Sequence, residues 1–216
     1  PTRNQPRPGR GLIRAPWRTK LVMPPRSPLP PPTTFPLPPP AFHQSRGWLC
    51  RRAGRAYLRL GGWRIEGAFP PDPKVVVIVA PHTSNWDFFV GVAVAFAVEL
   101  RASWLGKHSL FRAPFKGLLR WLGGIPVNRS ASHGVVEACV SAFQAAPALL
   151  LALAPEGTRK GVSQWKSGFY RIAVAAGVPI LPVGFDYRDR VVRLMLLFYP
   201  SGELERDLPS IQALYE

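Results

Sequence analysis

Apolar positions in the second two thirds of the chain form short runs separated by longer periodic stretches, and the two kinds alternate. Lys74–Ala80 (KVVVIVA) is β-branched and apolar on both faces, the pattern of a strand buried inside a parallel sheet. Ala148–Ala154 (ALLLALA) has the same character. Ile180–Phe185, Val191–Phe198 and the shorter Ala102–Gly106 read as further strands. Helical stretches lie between them. Phe88–Leu100 is almost uniformly apolar and too short to cross a bilayer, so it predicts a core helix. Leu110–Leu122 is broken near Pro114 and closed by Gly123-Gly124. Ser132–Ala146 opens on a serine and stops at Pro147, and a last helix runs from Gly168 to Ala176. This alternation predicts an α/β domain whose largely parallel sheet is flanked by helices.

Upstream the pattern changes twice. On a helical wheel over residues 46–65, Leu49, Ala53, Ala56, Tyr57 and Leu60 share one face and Arg51, Arg52, Arg55 and Arg59 the other, with Trp48 and Trp63 at the ends. Such a basic amphipathic helix suits an anionic membrane surface, and equally a helix that caps the domain with its basic face in water. Residues 1–45 show no periodicity. Of the 26 prolines, 14 lie within residues 1–40, which favours an extended, unpacked arm. The expected organisation is a disordered Pro/Arg-rich extension over 1–45, a basic amphipathic segment over 46–65 and a catalytic-sized domain over 66–216.

Charge sharpens that division. The net +16 splits into +13 over residues 1–65, which contain no acid, and +3 over the rest. The basicity therefore belongs to an arm, which argues against nucleic acid as partner of a folded face. Two cysteines, Cys50 and Cys139, allow neither a disulfide framework nor a four-cysteine zinc site. No apolar stretch has the length of a transmembrane helix, and the basic start lacks the apolar run of a signal peptide.

Ligands of open α/β sheets gather at the carboxyl ends of strands. Two polar clusters stand there: Pro81-His82-Thr83-Ser84-Asn85-Trp86-Asp87 and Pro155-Glu156-Gly157-Thr158-Arg159-Lys160. His82 leaves a strand end and Asp87 falls in the first turn of the next helix, so the carboxylate can turn back onto the imidazole, fix its tautomer and leave the other nitrogen to take a proton. An Asp that merely caps a helix would give the same spacing. The chain carries no Gly-x-Ser-x-Gly elbow, Walker loop, His-Glu-x-x-His motif or dinucleotide glycine fingerprint. A His/Asp pair without a nucleophile suits direct attack by a substrate hydroxyl on an activated carbonyl.

His82-Thr83-Ser84-Asn85-Trp86-Asp87 resembles the H-x4-D block of the glycerophospholipid acyltransferase superfamily, whose type member converts lysophosphatidic acid to phosphatidic acid. Gly124-Ile125-Pro126-Val127-Asn128-Arg129, Pro155-Glu156-Gly157-Thr158-Arg159 and Val178-Pro179-Ile180-Leu181-Pro182-Val183 are similar to the family's other blocks and come in the same order. The resemblance implies His82 as general base and Asp87 as its orienting partner. It implies that Arg129, Glu156, Gly157, Thr158 and Arg159 shape the acceptor site, with the arginines on a phosphate, and that Lys107 and Lys166 assist binding. A guanidinium fork matches phosphate in bidentate fashion, which agrees. Pro81, Asn128, Ala154 and Lys160 depart from the residues usual around these blocks, so lysophosphatidic acid is the default acceptor, with other lysolipids or amino-lipids as alternatives.

The expectation is an acyltransferase that moves a fatty acyl group from acyl-coenzyme A or acyl carrier protein to a lysophospholipid hydroxyl. It needs no metal and no cofactor beyond that co-substrate. It works in the cytoplasm, peripherally on the inner face of the membrane, which favours the membrane reading of residues 46–65. The competing expectation is a catalytically silent module that binds anionic ligands.

Overall fold

The computed structural model describes residues 35–81, 86–127, 132–156 and 165–215. Among these, seven strands form one sheet: β1 (Arg64–Glu66), β2 (Lys74–Val79), β3 (Ser103–Lys107), β4 (Gly124–Val127), β5 (Leu149–Leu153), β6 (Ile180–Asp186) and β7 (Val191–Leu194). Their order is β1-β7-β6-β2-β5-β3-β4. All pairs are parallel except the β6–β7 hairpin.

β2 is the middle strand, with Val76 opposite Leu151 of β5 on one side and Ile180 of β6 on the other. Side chains alternate across a strand, so β2 serves two cores. Val75 and Val77 join Leu58, Val90, Ala93, Val94 and Ala97, from helices α1 (Trp48–Leu60) and α2 (Trp86–Ala97). Val76 and Ile78 join Cys139, Phe143, Phe169, Ile172 and Ile211, from α4 (Ser132–Ala145), α5 (Gly168–Ala176) and α6 (Leu204–Gln212). The sixth helix, α3 (Lys116–Trp121), follows a single 3-10 turn at His108–Leu110. The expected α/β architecture with a largely parallel sheet is therefore the one observed.

The packed chain starts upstream of the boundary expected at residue 45. Phe42 is fully buried in the α1–α2 core and Phe35 packs against it. Expectations for residues 1–34 lie outside the described residues.

α1 packs on α2 through Gly54 and Leu58, and not through its apolar stripe. Backbone approach at Gly54 is close: a Cβ there would sit 2.6 Å from the Ala93 carbonyl oxygen and 2.7 Å from the Ala97 nitrogen. Two arginines of the basic face are drawn into this contact. Arg55 Nε donates to the Ala97 carbonyl oxygen at 3.0 Å, and Arg51 pairs with Glu99 at 3.3 Å. Cations at the carboxyl end of α2 also meet its dipole favourably. The expected solvated basic face is thus partly spent on α2, and Trp48, Leu49 and Leu60 point outward, Leu60 being 90% exposed.

Three elements went unread in the sequence. β1 has three residues and β4 four, both on sheet edges, and β4 holds Pro126 where an edge tolerates it. α6 is held by polar contacts: buried Asp207 accepts from the Ser201 amide (2.6 Å), the Ser201 hydroxyl (2.9 Å) and the Tyr170 hydroxyl (2.7 Å). The expected strand Val191–Phe198 ends at Leu194, and Phe198 returns alone to bridge Ile180.

Gly54→Val should lower stability by about 1–3 kcal/mol, because backbone atoms of α2 cannot yield to the added carbons. Gly117→Ala, in α3 where a Cβ meets nothing within 4 Å, is the control and should be neutral or slightly stabilising. The shift of the urea midpoint at constant slope measures both.

Candidate active site

Because β2, β3, β4, β5 and β6 run parallel, their carboxyl ends share one edge of the sheet. Pro81 follows β2 there through a cis peptide, Lys107 ends β3, Pro155 and Glu156 follow β5, and Tyr187 follows β6. Asp87 lies in the first turn of α2, 2% exposed. A carboxylate this far from water needs hydrogen-bond donors. One is Tyr187, whose hydroxyl donates to Asp87 Oδ1 at 2.5 Å from the turn joining β6 to β7. Partial burial and then the Asp87 carboxylate hold the Tyr187 phenol well above the usual tyrosine range, so it keeps its proton and remains the donor.

Tyr187 is itself braced. Trp63, buried just after α1, meets it edge-on with ring centroids 5.1 Å apart and meets Phe185 at 6.5 Å. The Arg190 guanidinium lies over the Trp63 ring at 6.0 Å. Asp186 fixes the turn by accepting from the backbone amides of Arg188 (3.0 Å) and Asp189 (2.9 Å). An open groove of about 250 Å³ runs past this cluster, lined by Tyr57, Trp63, Trp86, Val90, Tyr187 and Arg190.

A second tyrosine secures the floor. The Tyr215 hydroxyl donates to the Ile78 carbonyl oxygen at 2.9 Å and accepts from the Val183 amide at 3.2 Å. It thereby clasps β2 to β6 close to their carboxyl ends. Burial raises its phenol strongly, opposed by the Val183 amide and reinforced by the Glu156 carboxylate.

Of the residues expected from the sequence, Asp87, Lys107, Glu156 and Lys166 are brought to this edge. Lys107 and Lys166 are exposed, and the Lys166 amide donates to the Pro155 carbonyl at 2.8 Å, which closes the loop between them at its base. His82, Arg129, Gly157, Thr158 and Arg159 lie outside the described residues. No cluster of three or more His, Cys, Asp or Glu side chains able to hold a metal occurs among the described residues. Sequence reasoning missed Tyr187 and Tyr215. For Tyr187 a signal existed, since Asp186-Tyr187-Arg188-Asp189 is a turn sequence directly after a buried strand, where site residues collect.

An acyltransferase family model matches residues 65–186. The 1-acyl-sn-glycerol-3-phosphate acyltransferase of Haemophilus influenzae is 32% identical over 147 residues, covering 63% of this chain and 59% of that protein. The Escherichia coli protein of the same name is 34% identical over 134 residues, covering 57% and 53%. The chain thus spans little more than half the length of these curated relatives. Among solved structures, the 1-acyl-sn-glycerophosphate (LPA) acyltransferase PlsC from Thermotoga maritima superposes with a TM-score of 0.54 at 19% identity, over 76% of this chain and 74% of that one.

Tyr215→Phe should cost about 1 kcal/mol of stability and leave the clasp on Val183 unmade. Native-state hydrogen exchange checks it: the Val183 amide should exchange faster while amides of the edge strands β3 and β4 are unchanged.

Proposed function

Since the chain belongs to the acyltransferase family, we propose that it transfers a fatty acyl group from acyl-coenzyme A or acyl carrier protein to the hydroxyl of a lysophospholipid. The default acceptor is 1-acyl-sn-glycerol 3-phosphate, giving phosphatidic acid, the substrate class in the names of its curated relatives. His82 takes the proton of the acceptor hydroxyl as its oxygen attacks the thioester carbonyl. The tetrahedral intermediate collapses, the carbon–sulfur bond breaks, and His82 returns the proton to the leaving thiolate. Asp87 orients the imidazole and stabilises its charged form. Arg129 and Arg159 bind the acceptor phosphate, with Glu156, Gly157 and Thr158 shaping the pocket and Lys107 and Lys166 adding charge at its rim. The reaction draws on no metal or further cofactor.

The observation that carries this reading is the burial of Asp87 in the first turn of α2, at the carboxyl edge of a parallel sheet. Surface carboxylates at helix starts are common, but one removed from water and hydrogen-bonded by a tyrosine from another element holds something in place.

The acyl chains of both substrates favour a bilayer, and the outward face of α1 supports work at its surface. Trp48, Leu49 and Leu60 are exposed together, with Arg52 and Arg59 beside them. Among the described residues no helix is long and apolar enough to cross a membrane. We propose peripheral attachment to the inner face of the cytoplasmic membrane, where both acyl carriers are found.

Wild-type protein should form phosphatidic acid from palmitoyl-coenzyme A and lysophosphatidic acid, and His82→Ala should lose on the order of 10²–10⁴-fold in rate. Product from His82→Ala at the wild-type rate removes the mechanism. Silence of the wild type across lysolipids, amino-lipids and acyl-carrier-protein donors turns the assignment toward a binding module. Leu49→Glu combined with Leu60→Glu should weaken sedimentation with phosphatidylglycerol vesicles by about tenfold or more, since each leucine contributes roughly 1.5–3 kcal/mol when buried. An unchanged bound fraction would place the contact elsewhere.

A further inference from the structure

Tyr187 lies just past the residues that the family model matches, so its role must be read from this chain alone. It reaches Asp87 across 100 residues of sequence, from a different element of the fold. Three features set this contact apart from an incidental surface hydrogen bond. Its acceptor is one of two buried ionisable carboxylates among the described residues, Asp87 and Asp207, and Asp207 has a plain structural task in seating α6. Its donor cannot swing away, because Trp63 abuts the phenol ring and Asp186 ties the turn. The same phenol also lines the open groove together with Trp63 and Trp86, the residue that precedes Asp87 in the chain.

We infer that Tyr187 is a positioning residue of the acyl transfer, acting through Asp87: its hydroxyl arrests the rotation of the buried carboxylate and thereby fixes the plane that the carboxylate presents to the catalytic base. This rests on the reading of His82 and Asp87 as base and orienting partner. An aspartate has two soft side-chain torsions, and the second is broad and weakly restrained. Holding Oδ1 from the hairpin removes that freedom. Small misplacements of reacting groups are costly in rate, so the effect belongs in kcat. Trp63 extends the brace to the end of α1. The helix that presents the apolar face is therefore joined to the orienting carboxylate through one ring contact and one hydrogen bond.

The experiment is steady-state kinetics of the full chain with palmitoyl-coenzyme A and lysophosphatidic acid, comparing wild type, Tyr187→Phe, Asp87→Asn and the double variant. Phenylalanine keeps the ring against Trp63 but takes one donor from the buried Asp87, so the thermal midpoint should fall by about 3–10 °C, and the kinetics are read well below it. Tyr187→Phe should lower kcat by about 5- to 50-fold, with KM for both substrates within about twofold. In the Asp87→Asn background the same change should have almost no further effect, because a residue that acts through another is silent once that other is gone. Wild-type kcat in Tyr187→Phe, a loss confined to KM, or an equal loss in both backgrounds would each overturn the inference while leaving the roles of His82 and Asp87 standing. Full turnover by Asp87→Asn would instead remove the underlying reading, and this inference with it.

Discussion

Keeping the Asp87 carboxylate out of water is the demand around which the carboxyl edge of the sheet is arranged. A buried, unpaired carboxylate costs several kcal/mol, enough to threaten a domain whose total margin is only about 5–15 kcal/mol. The fold meets that demand with groups from separate parts of the chain. α2 contributes the favourable end of its dipole, the β6–β7 turn contributes the Tyr187 hydroxyl, and Trp63, just after α1, meets that phenol edge-on. Tyr215 adds the base on which they stand by tying the two central strands together. Apart from the α2 dipole, these contacts join segments far apart in sequence. The arrangement around Asp87 is therefore a property of the whole assembled sheet, and cannot survive in a fragment of it.

A second constraint is the glycine contact between α1 and α2. Because Gly54 lets the two backbones approach so closely, α1 packs with a narrow face, and its larger apolar side chains are left over. The arginines beside Gly54 turn inward to the carboxyl end of α2, which removes part of the basic face from solvent. A helix that looks amphipathic in sequence thus sits reversed relative to an ordinary surface helix. Its charge is partly consumed by the fold and its hydrophobic stripe is offered outward.

Much of the fold was legible in the sequence because central strands of parallel sheets are apolar on both faces. KVVVIVA and ALLLALA could hardly be anything else, and α2, α4 and α5 followed from their lengths and stops. The edges were harder. β1 and β4 are held by one neighbour each and need no apolar run, and Pro126 argues against a strand unless its position on the edge is known. α6 packs Leu204, Leu208 and Ile211 at helical spacing and is seated by hydrogen bonds to Asp207, but Pro209 inside the run argues against a helix. In the site, the His/Asp spacing and the Glu-Gly-Thr-Arg cluster stood out as local patterns. Tyr187 did not, since its importance lies in a partner 100 residues away. Gly54 leaves no mark on the helical wheel of residues 46–65, because sequence does not say when a missing side chain is itself the contact.

A ribosome delivers the central strand of this sheet long before its neighbours. β2 is finished at Val79, whereas β5 begins at Leu149 and β6 at Ile180. At the ordinary pace of about 5–20 residues per second, this strand, apolar from Val75 to Val79, waits several seconds for a partner. α2 follows at once and can shelter Val75 and Val77, but Val76 and Ile78 stay bare until the helices of the other layer arrive. β1 waits longer still, for Val191. Such late, long-range pairing makes for slow folding and a nascent chain prone to sticking to others of its kind. The same topology that gathers the carboxyl edge from distant segments leaves one face of its central strand uncovered until the last third of the chain is made.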